Sequence, residues 1–215
     1  MDWFGDFTGG TGLLIGLTVA LSALTIASTA LFACRHRWAW LPLGAGVALF
    51  LLFGLASGQP ELGMGDLLLP AVCTYGAWRW WSGRRTHGGM LPVRRATAEE
   101  WGIGAGLLVL FALIKGFSGL ELLAVIGPDL LVHAVLSALP LVIYLGLAYG
   151  IADAWSIGVG FALLNLASVT AAGAPNLAVL YAAASVAAYL LGLVKWRTAL
   201  RVQDRPRELA YPAGS

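Results

Sequence analysis

From Ala154 to Val194 the chain runs for 41 residues without a charged side chain. A helix needs about 20 apolar residues to cross a hydrocarbon core, so this run holds two crossings and a turn at Ala172-Gly173-Ala174-Pro175. Other charge-free runs lie between Asp6 and Arg35, between Arg37 and Glu61, and between Asp129 and Asp153. Only 11% of the residues are charged, and they are clustered rather than dispersed as on a soluble surface. Continuous Leu, Ala and Val runs also lack the alternation of an outer-membrane strand. An all-α, multi-pass membrane protein is expected.

The segments predict seven transmembrane helices near 11–33, 39–57, 62–81, 100–119, 129–150, 155–172 and 177–196. Loops rich in Arg and Lys stay on the cytoplasmic side. Arg35 and Arg37 follow the first span, and Arg79, Arg84, Arg85, Arg94 and Arg95 surround the loop after the third. Lys195, Arg197, Arg201, Arg205 and Arg207 follow the seventh, so twelve of the 13 basic residues fall on one side if the amino terminus is outside. The expected topology is N-out, C-in. The first ten residues carry Asp2 and Asp6 with no basic region, unlike a secretory signal. Cys34 and Cys73 suggest neither a disulfide framework nor a metal site. The net charge of +2 is accounted for by topology, and no nucleic-acid partner is expected. Trp3, Trp38, Trp40, Trp78, Trp80, Trp81, Trp101, Trp155 and Trp196 nearly all fall at span ends, where an indole buries its ring and wets its N–H.

A shift of 115 residues aligns the two ends of the chain without a gap. Leu21-Ser22-Ala23-Leu24 recurs as Leu136-Ser137-Ala138-Leu139, Trp40 meets Trp155, Gly58 meets Gly173, Pro60 meets Pro175, Leu62 meets Leu177 and Trp81 meets Trp196. Spans one to three (11–81) then correspond to spans five to seven (128–197). Residues 82–127 hold a basic loop, a lone fourth span and an outer loop, and 198–215 form a cytoplasmic tail. A single connecting span makes the two three-helix repeats parallel, a 3+1+3 arrangement found in transporters whose substrate sits where the repeats meet.

Polar residues within spans face the bundle interior more often than lipid. His133, Ser137 and Tyr144 share one face of span five, with Thr18, Ser22 and Thr29 as counterparts on span one. Tyr181, Ser185 and Tyr189 are spaced by four on span seven, with Asp66, Pro70 and Thr74 as counterparts on span three. Ser and Thr can instead bond their own helix carbonyls and serve only packing. Asn165 lies about 15 Å into span six, near the midplane, where its amide must bond a neighbouring helix or a ligand. No ion-coupling carboxylate pair, phosphate loop, nucleophile motif or zinc spacing stands out, so neither an enzyme nor a cofactor is expected.

The sequence resembles the PnuC family of bacterial vitamin-precursor transporters. The resemblance is carried by Trp38-Ala39-Trp40-Leu41-Pro42, Gly65-Asp66-Leu67-Leu68, Tyr75-Gly76-Ala77-Trp78-Arg79-Trp80, Val93-Arg94-Arg95, Glu100-Trp101, Trp155, Leu180-Tyr181, Gly192 and Trp196, in order along the chain. It implies a full-length, SWEET-like fold in the bacterial plasma membrane and uptake of nicotinamide riboside by uniport, made effective by phosphorylation inside the cell. Two departures stand out. Where the family has an Asn-Trp pair, a second Trp one turn on and then a polar residue, this chain reads Ala154-Trp155, Gly158 and Ala162, and a Gln of span three is replaced by Pro70. A Gly at 158 leaves space for a different ring, such as riboflavin, thiamin or a deoxynucleoside. A membrane sensor or partner subunit that no longer transports is the reading from another class. The expected substrate contacts are Trp155, Asn165, Tyr181, Ser185, Tyr189, Asp66, Thr74, Tyr75, His133 and Ser137. The expected partners are a small vitamin-like solute and the lipid bilayer, and a homo-oligomer is left open.

Overall fold

The structure, a computed structural model, describes residues 12–56, 64–83, 92–118 and 128–203. Seven α-helices account for most of them: α1 (Gly12–Ala33), α2 (Trp40–Ala56), α3 (Met64–Ser82), α4 (Ala98–Ser118), α5 (Pro128–Ala148), α6 (Ala154–Ala171) and α7 (Asn176–Gln203). There is no β-strand among the described residues, only one isolated bridge between Arg94 and Ile151. Every expected span is a helix, with ends shifted by a few residues except in α7. That helix runs on to Gln203, past the expected start of the tail at 198. The residues after Trp196 hold no Gly or Pro before Pro206, and buried Leu200 gives this extra turn a core contact. The loop matches Gly58–Gly173, Pro60–Pro175 and Leu62–Leu177 involve residues 58, 60 and 62, which lie outside the described residues.

Helix α1 packs against α2 and α7, α2 against α3, α3 against α5, α5 against α6, and α6 against α7. These contacts close a ring of six helices, and α4 lies outside it against α5 and α3. The outer surface is apolar: Leu52, Trp78, Val109, Leu113, Leu164, Leu180 and Val194, on five helices, are all exposed. An aqueous surface does not carry such a continuous apolar skin, and a bilayer requires it. Helices α6 and α7 are each long and apolar enough to cross a membrane.

One end of the ring is sealed by aromatic side chains. Phe32, at the end of α1, meets Trp40 edge-on at 4.7 Å, Trp80 at 5.5 Å and Tyr144 at 6.0 Å. Trp155 meets Tyr189 at 5.9 Å and Trp196 at 5.7 Å. Two indoles tie the halves together crosswise. Trp80 Nε1 of α3 donates to the carbonyl of Leu147 on α5 at 3.2 Å, and Trp196 Nε1 of α7 donates to the carbonyl of Phe32 on α1 at 3.0 Å. Both carbonyls belong to the last turn of their helices and each also accepts a backbone N–H from the turn that follows, Leu147 from Gly150 and Phe32 from Arg35, so the indole takes the second acceptor site of each oxygen. Four of the tryptophans expected at the membrane interface, Trp40, Trp80, Trp155 and Trp196, are therefore buried. Edge-to-face packing holds all four rings, and helix-end carbonyls take the N–H of Trp80 and of Trp196. Trp38, Trp78, Trp81 and Trp101 are exposed, as an interfacial ring would be.

The partner of Trp196 in this crosswise pair is Trp80, whereas the 115-residue alignment matches Trp196 to Trp81. Two glycines show the same one-residue difference. A Cβ on Gly76 would come within 2.2 Å of the Trp40 ring, and one on Gly192 within 2.1 Å of the Trp155 ring. The matched pairs of the third helices are thus Gly76 with Gly192 and Trp80 with Trp196, while Trp40 and Trp155 keep the original offset.

Between α3 and α4, residues 92–97 are strapped across the turn that joins α5 to α6. Arg94 N–H donates to the carbonyl of Gly150 (3.0 Å), Ala152 N–H to the carbonyl of Arg94 (2.9 Å), and Ala96 N–H to Asp153 Oδ2 (2.8 Å). Gly150 holds a φ of 73°, which only glycine adopts without strain, and that bend presents its carbonyl to the strap. Thr97 and Glu100 then cap α4 reciprocally: Thr97 N–H donates to Glu100 Oε2 and Glu100 N–H donates to Thr97 Oγ1. The same carboxylate grips Arg94 with both oxygens, which raises the guanidinium pKa above its usual value.

Gly76→Ala and Gly192→Ala should each add about 1–3 kcal/mol of overpacking against an indole. Alanine regains roughly 1 kcal/mol of helix propensity over glycine. Gly160→Ala, whose Cβ meets nothing within 4 Å, is the matched control. Thermal melts in detergent should place both tight-site variants below the control.

Candidate functional site

On α6 the residues Trp155, Gly158, Ala162, Asn165 and Val169 recur at alternating spacings of three and four, which puts them on one face. Four of the five are buried and Asn165 is half-buried, so this face points into the ring. On α7, facing it, Tyr181 is half-buried and Tyr189 is buried. The Tyr189 hydroxyl interacts with that of Tyr144 on α5, and buried Cys73 lies on α3, which packs against α5. Three helices thus bring three phenols and a thiol to a common interior region, with an amide on the inner face of a fourth, within an apolar bundle.

Two buried donors at the aromatic end add to this polar interior. The indole nitrogens of Trp40 and Trp155 are buried, and neither has a hydrogen-bond partner among the described residues. They stand at equivalent places, in the first turns of α2 and α6. A buried N–H without a partner is costly, which marks both indoles as candidate donors.

The expected contact residues divide into three groups. Trp155, Asn165, Tyr181 and Tyr189 lie on the interior faces of α6 and α7, as does Ser185, whose hydroxyl donates to the carbonyl of Tyr181 at 2.9 Å within its own helix. Thr74 is exposed on the outside of α3, and its hydroxyl donates to the carbonyl of Pro70. Tyr75 lies apart from the phenol cluster. Its hydroxyl donates to that of Tyr149 at 2.9 Å, beside the Arg79 guanidinium, which sits 4.2 Å above the Tyr149 ring. Asp66 lies on α3 and His133 and Ser137 on α5; their side chains are outside the described residues, as is that of Thr18 on α1. Thr29 is buried but bonds the carbonyl of Thr25 in its own helix.

Gly158 also has a different consequence from the one its position suggests. The space above it is occupied: a Cβ there would lie 2.4 Å from Cδ1 and Cε1 of Tyr189. The ring that covers Gly158 reaches across from α7. Trp155 is likewise enclosed on all sides, by Gly192, Tyr189 and Trp196. The residues that sequence reasoning missed are Cys73 and Trp40. Cys73 is the residue that a 116-residue offset matches to Tyr189, and it becomes legible only once the third-helix register is known.

A solved structure described as the "Crystal structure of the Vitamin B3 transporter PnuC" has the same fold as this chain. The two superpose with a TM-score of 0.61 over 86% of this chain and 82% of that one, at 13% sequence identity. No family model and no curated protein matches the sequence.

Gly158→Ala should displace the Tyr189 ring and destabilise the protein by about 1–3 kcal/mol. Adding Tyr189→Leu should remove most of that penalty, so the two changes should be non-additive in a double-mutant cycle read by thermal melting.

Proposed function

We propose that this chain is a membrane transporter that facilitates uptake of a vitamin precursor, with nicotinamide riboside as the first substrate to test. The observation that carries the reading is the set of polar groups inside the ring: Asn165, Tyr144, Tyr181 and Tyr189, with the unpartnered indole donors of Trp40 and Trp155. A solute with a ring and several hydroxyls satisfies such a set, because ring faces pack on aromatic walls while amide and phenol groups bond the sugar. The fold shared with a vitamin B3 transporter supports the same class of solute.

In this reading the halves 11–81 and 128–197 are parallel repeats with a SWEET-like arrangement, and the solute sits where they meet. The orientation is N-out, C-in, in the bacterial inner membrane. Arg35 and Arg37, which follow α1, Arg79, Lys195, Arg197 and Arg201, in the C-terminal parts of α3 and α7, and Arg94 and Arg95 of the strap then face the cytoplasm. Transport is uniport, and uptake is made effective by phosphorylation of the solute inside the cell, so the chain itself catalyses no reaction. The buried aromatic layer closes the cytoplasmic end. Passage requires the Trp80 and Trp196 bonds to open.

Riboflavin, thiamin or a deoxynucleoside is the second reading, because the wall around Gly158 is formed by the Tyr189 ring of α7 and not by a ring on α6.

Proteoliposomes containing the full chain should show saturable flux of labelled nicotinamide riboside, riboflavin, thiamin or a deoxynucleoside without an ion gradient. Asn165→Ala should weaken binding of the transported solute about tenfold, equivalent to roughly 1.4 kcal/mol for one lost hydrogen bond to a ligand. Absence of both binding and flux for all four solutes would overturn the transporter reading in favour of a sensor or partner subunit.

A further inference from the structure

At the basic end of the bundle a cavity of about 260 Å³ opens between the strap, the α5–α6 turn and the last turns of α7. Arg95, Ala152, Asp153, Arg197, Leu200 and Arg201 line it. We propose that it binds a phosphate monoester or diester group, through Arg95, Arg197 and Arg201.

The charges set the ligand class. Three guanidinium groups and one carboxylate leave the cavity two positive charges in excess. The carboxylate is already engaged, since Asp153 Oδ2 accepts the Ala96 N–H. Arg197 and Arg201 are one helical turn apart on α7, an arrangement of like charges that weakens an isolated helix and is relieved by an anion between them. Arg197 makes one long contact, 3.4 Å from Nη2 to Ser156 Oγ, and no ion pair to a described carboxylate. The contrast with Arg94 is instructive: its guanidinium is held by both oxygens of Glu100, so of the two adjacent arginines only Arg95 is left for an external partner. Guanidinium groups match phosphate oxygens two at a time, which an ammonium cannot do.

The site is also built rather than incidental. Arg95 lies between Arg94 and Ala96, and both neighbours are bonded to the α5–α6 turn, so its backbone is fixed. Leu200, 8% exposed, anchors the α7 side. An ordinary run of loop arginines that marks the cytoplasmic side needs no such convergence of three chain segments. The ligand has two sources: the headgroup of an anionic phospholipid, or a free phosphorylated metabolite. If the transporter reading above holds, the second source includes the trapped, phosphorylated solute, which would bind beside the exit.

The test uses the full chain in nanodiscs of phosphatidylcholine alone and of phosphatidylcholine with phosphatidylglycerol. Ribose 5-phosphate and inorganic phosphate are titrated into the first by calorimetry, and lipid retention from the second is read by native mass spectrometry. Binding of either soluble probe, weakened at least tenfold in Arg197→Gln and Arg201→Gln but not in Arg35→Gln, would establish the site and assign it to a free phosphate. No soluble binding, with phosphatidylglycerol retained by the wild type and lost from the same two variants, would establish it as a lipid site. Failure of both, or equal binding by all variants, would overturn the proposal. Arg201→Lys, which keeps the charge and loses the planar fork, should bind more weakly than wild type and more tightly than Arg201→Gln, and unchanged melting of each variant separates lost binding from lost folding. Binding without solute flux would remove the transporter reading and leave this site standing, and flux without binding would do the reverse.

Discussion

Two indole N–H groups hold the ring shut at one end, and the rest of the bundle is organised around them. Trp80 reaches from α3 to the last turn of α5, and Trp196 from α7 to the last turn of α1. Each bond gives a buried indole N–H its acceptor, on a helix-end carbonyl that also takes a backbone N–H from the following turn. Each bond crosses from one half of the chain to the other, so the buried indole donor of each half depends on a backbone carbonyl of the other. The glycines Gly76 and Gly192 serve the same layer by letting Trp40 and Trp155 lie flat against the third helices.

The helices were legible in the sequence because charge-free length is a strong constraint. α1 to α6 begin and end within a few residues of the spans read from it. The end of α7 was not, since hydropathy stops at Lys195 while helix propensity and the buried Leu200 carry the helix on. The third-helix register was hidden for a related reason. Trp80, Trp81 and Trp78 are alike in composition, and only their direction decides that Trp80 is inside while Trp78 and Trp81 face outward. A one-residue slip rotates a helical position by about 100°, which exchanges buried Cys73 for exposed Thr74.

The interior residues were partly legible. Asn165, Tyr181 and Tyr189 stand on inward faces because the spacing that marked them is the helical one. Gly158 shows where such reasoning stops. A residue lost from one helix does not leave a void when a side chain from another can fill it, because interiors are packed to near-crystal density. Reading Gly158 as added space therefore required knowing where Tyr189 pointed, and a single sequence does not contain that direction.

The aromatic layer has an optical consequence. Trp40 and Trp80 meet at 5.9 Å with their planes at 89°, and Trp155 and Trp196 at 5.7 Å with their planes at 64°. Transition dipoles of indoles so close and so fixed couple to one another, which gives a near-ultraviolet circular dichroism signal that separated tryptophans lack. Any motion that parts the two helix pairs dissolves that coupling, so the molecule carries its own spectroscopic indicator of whether this end of the bundle is open.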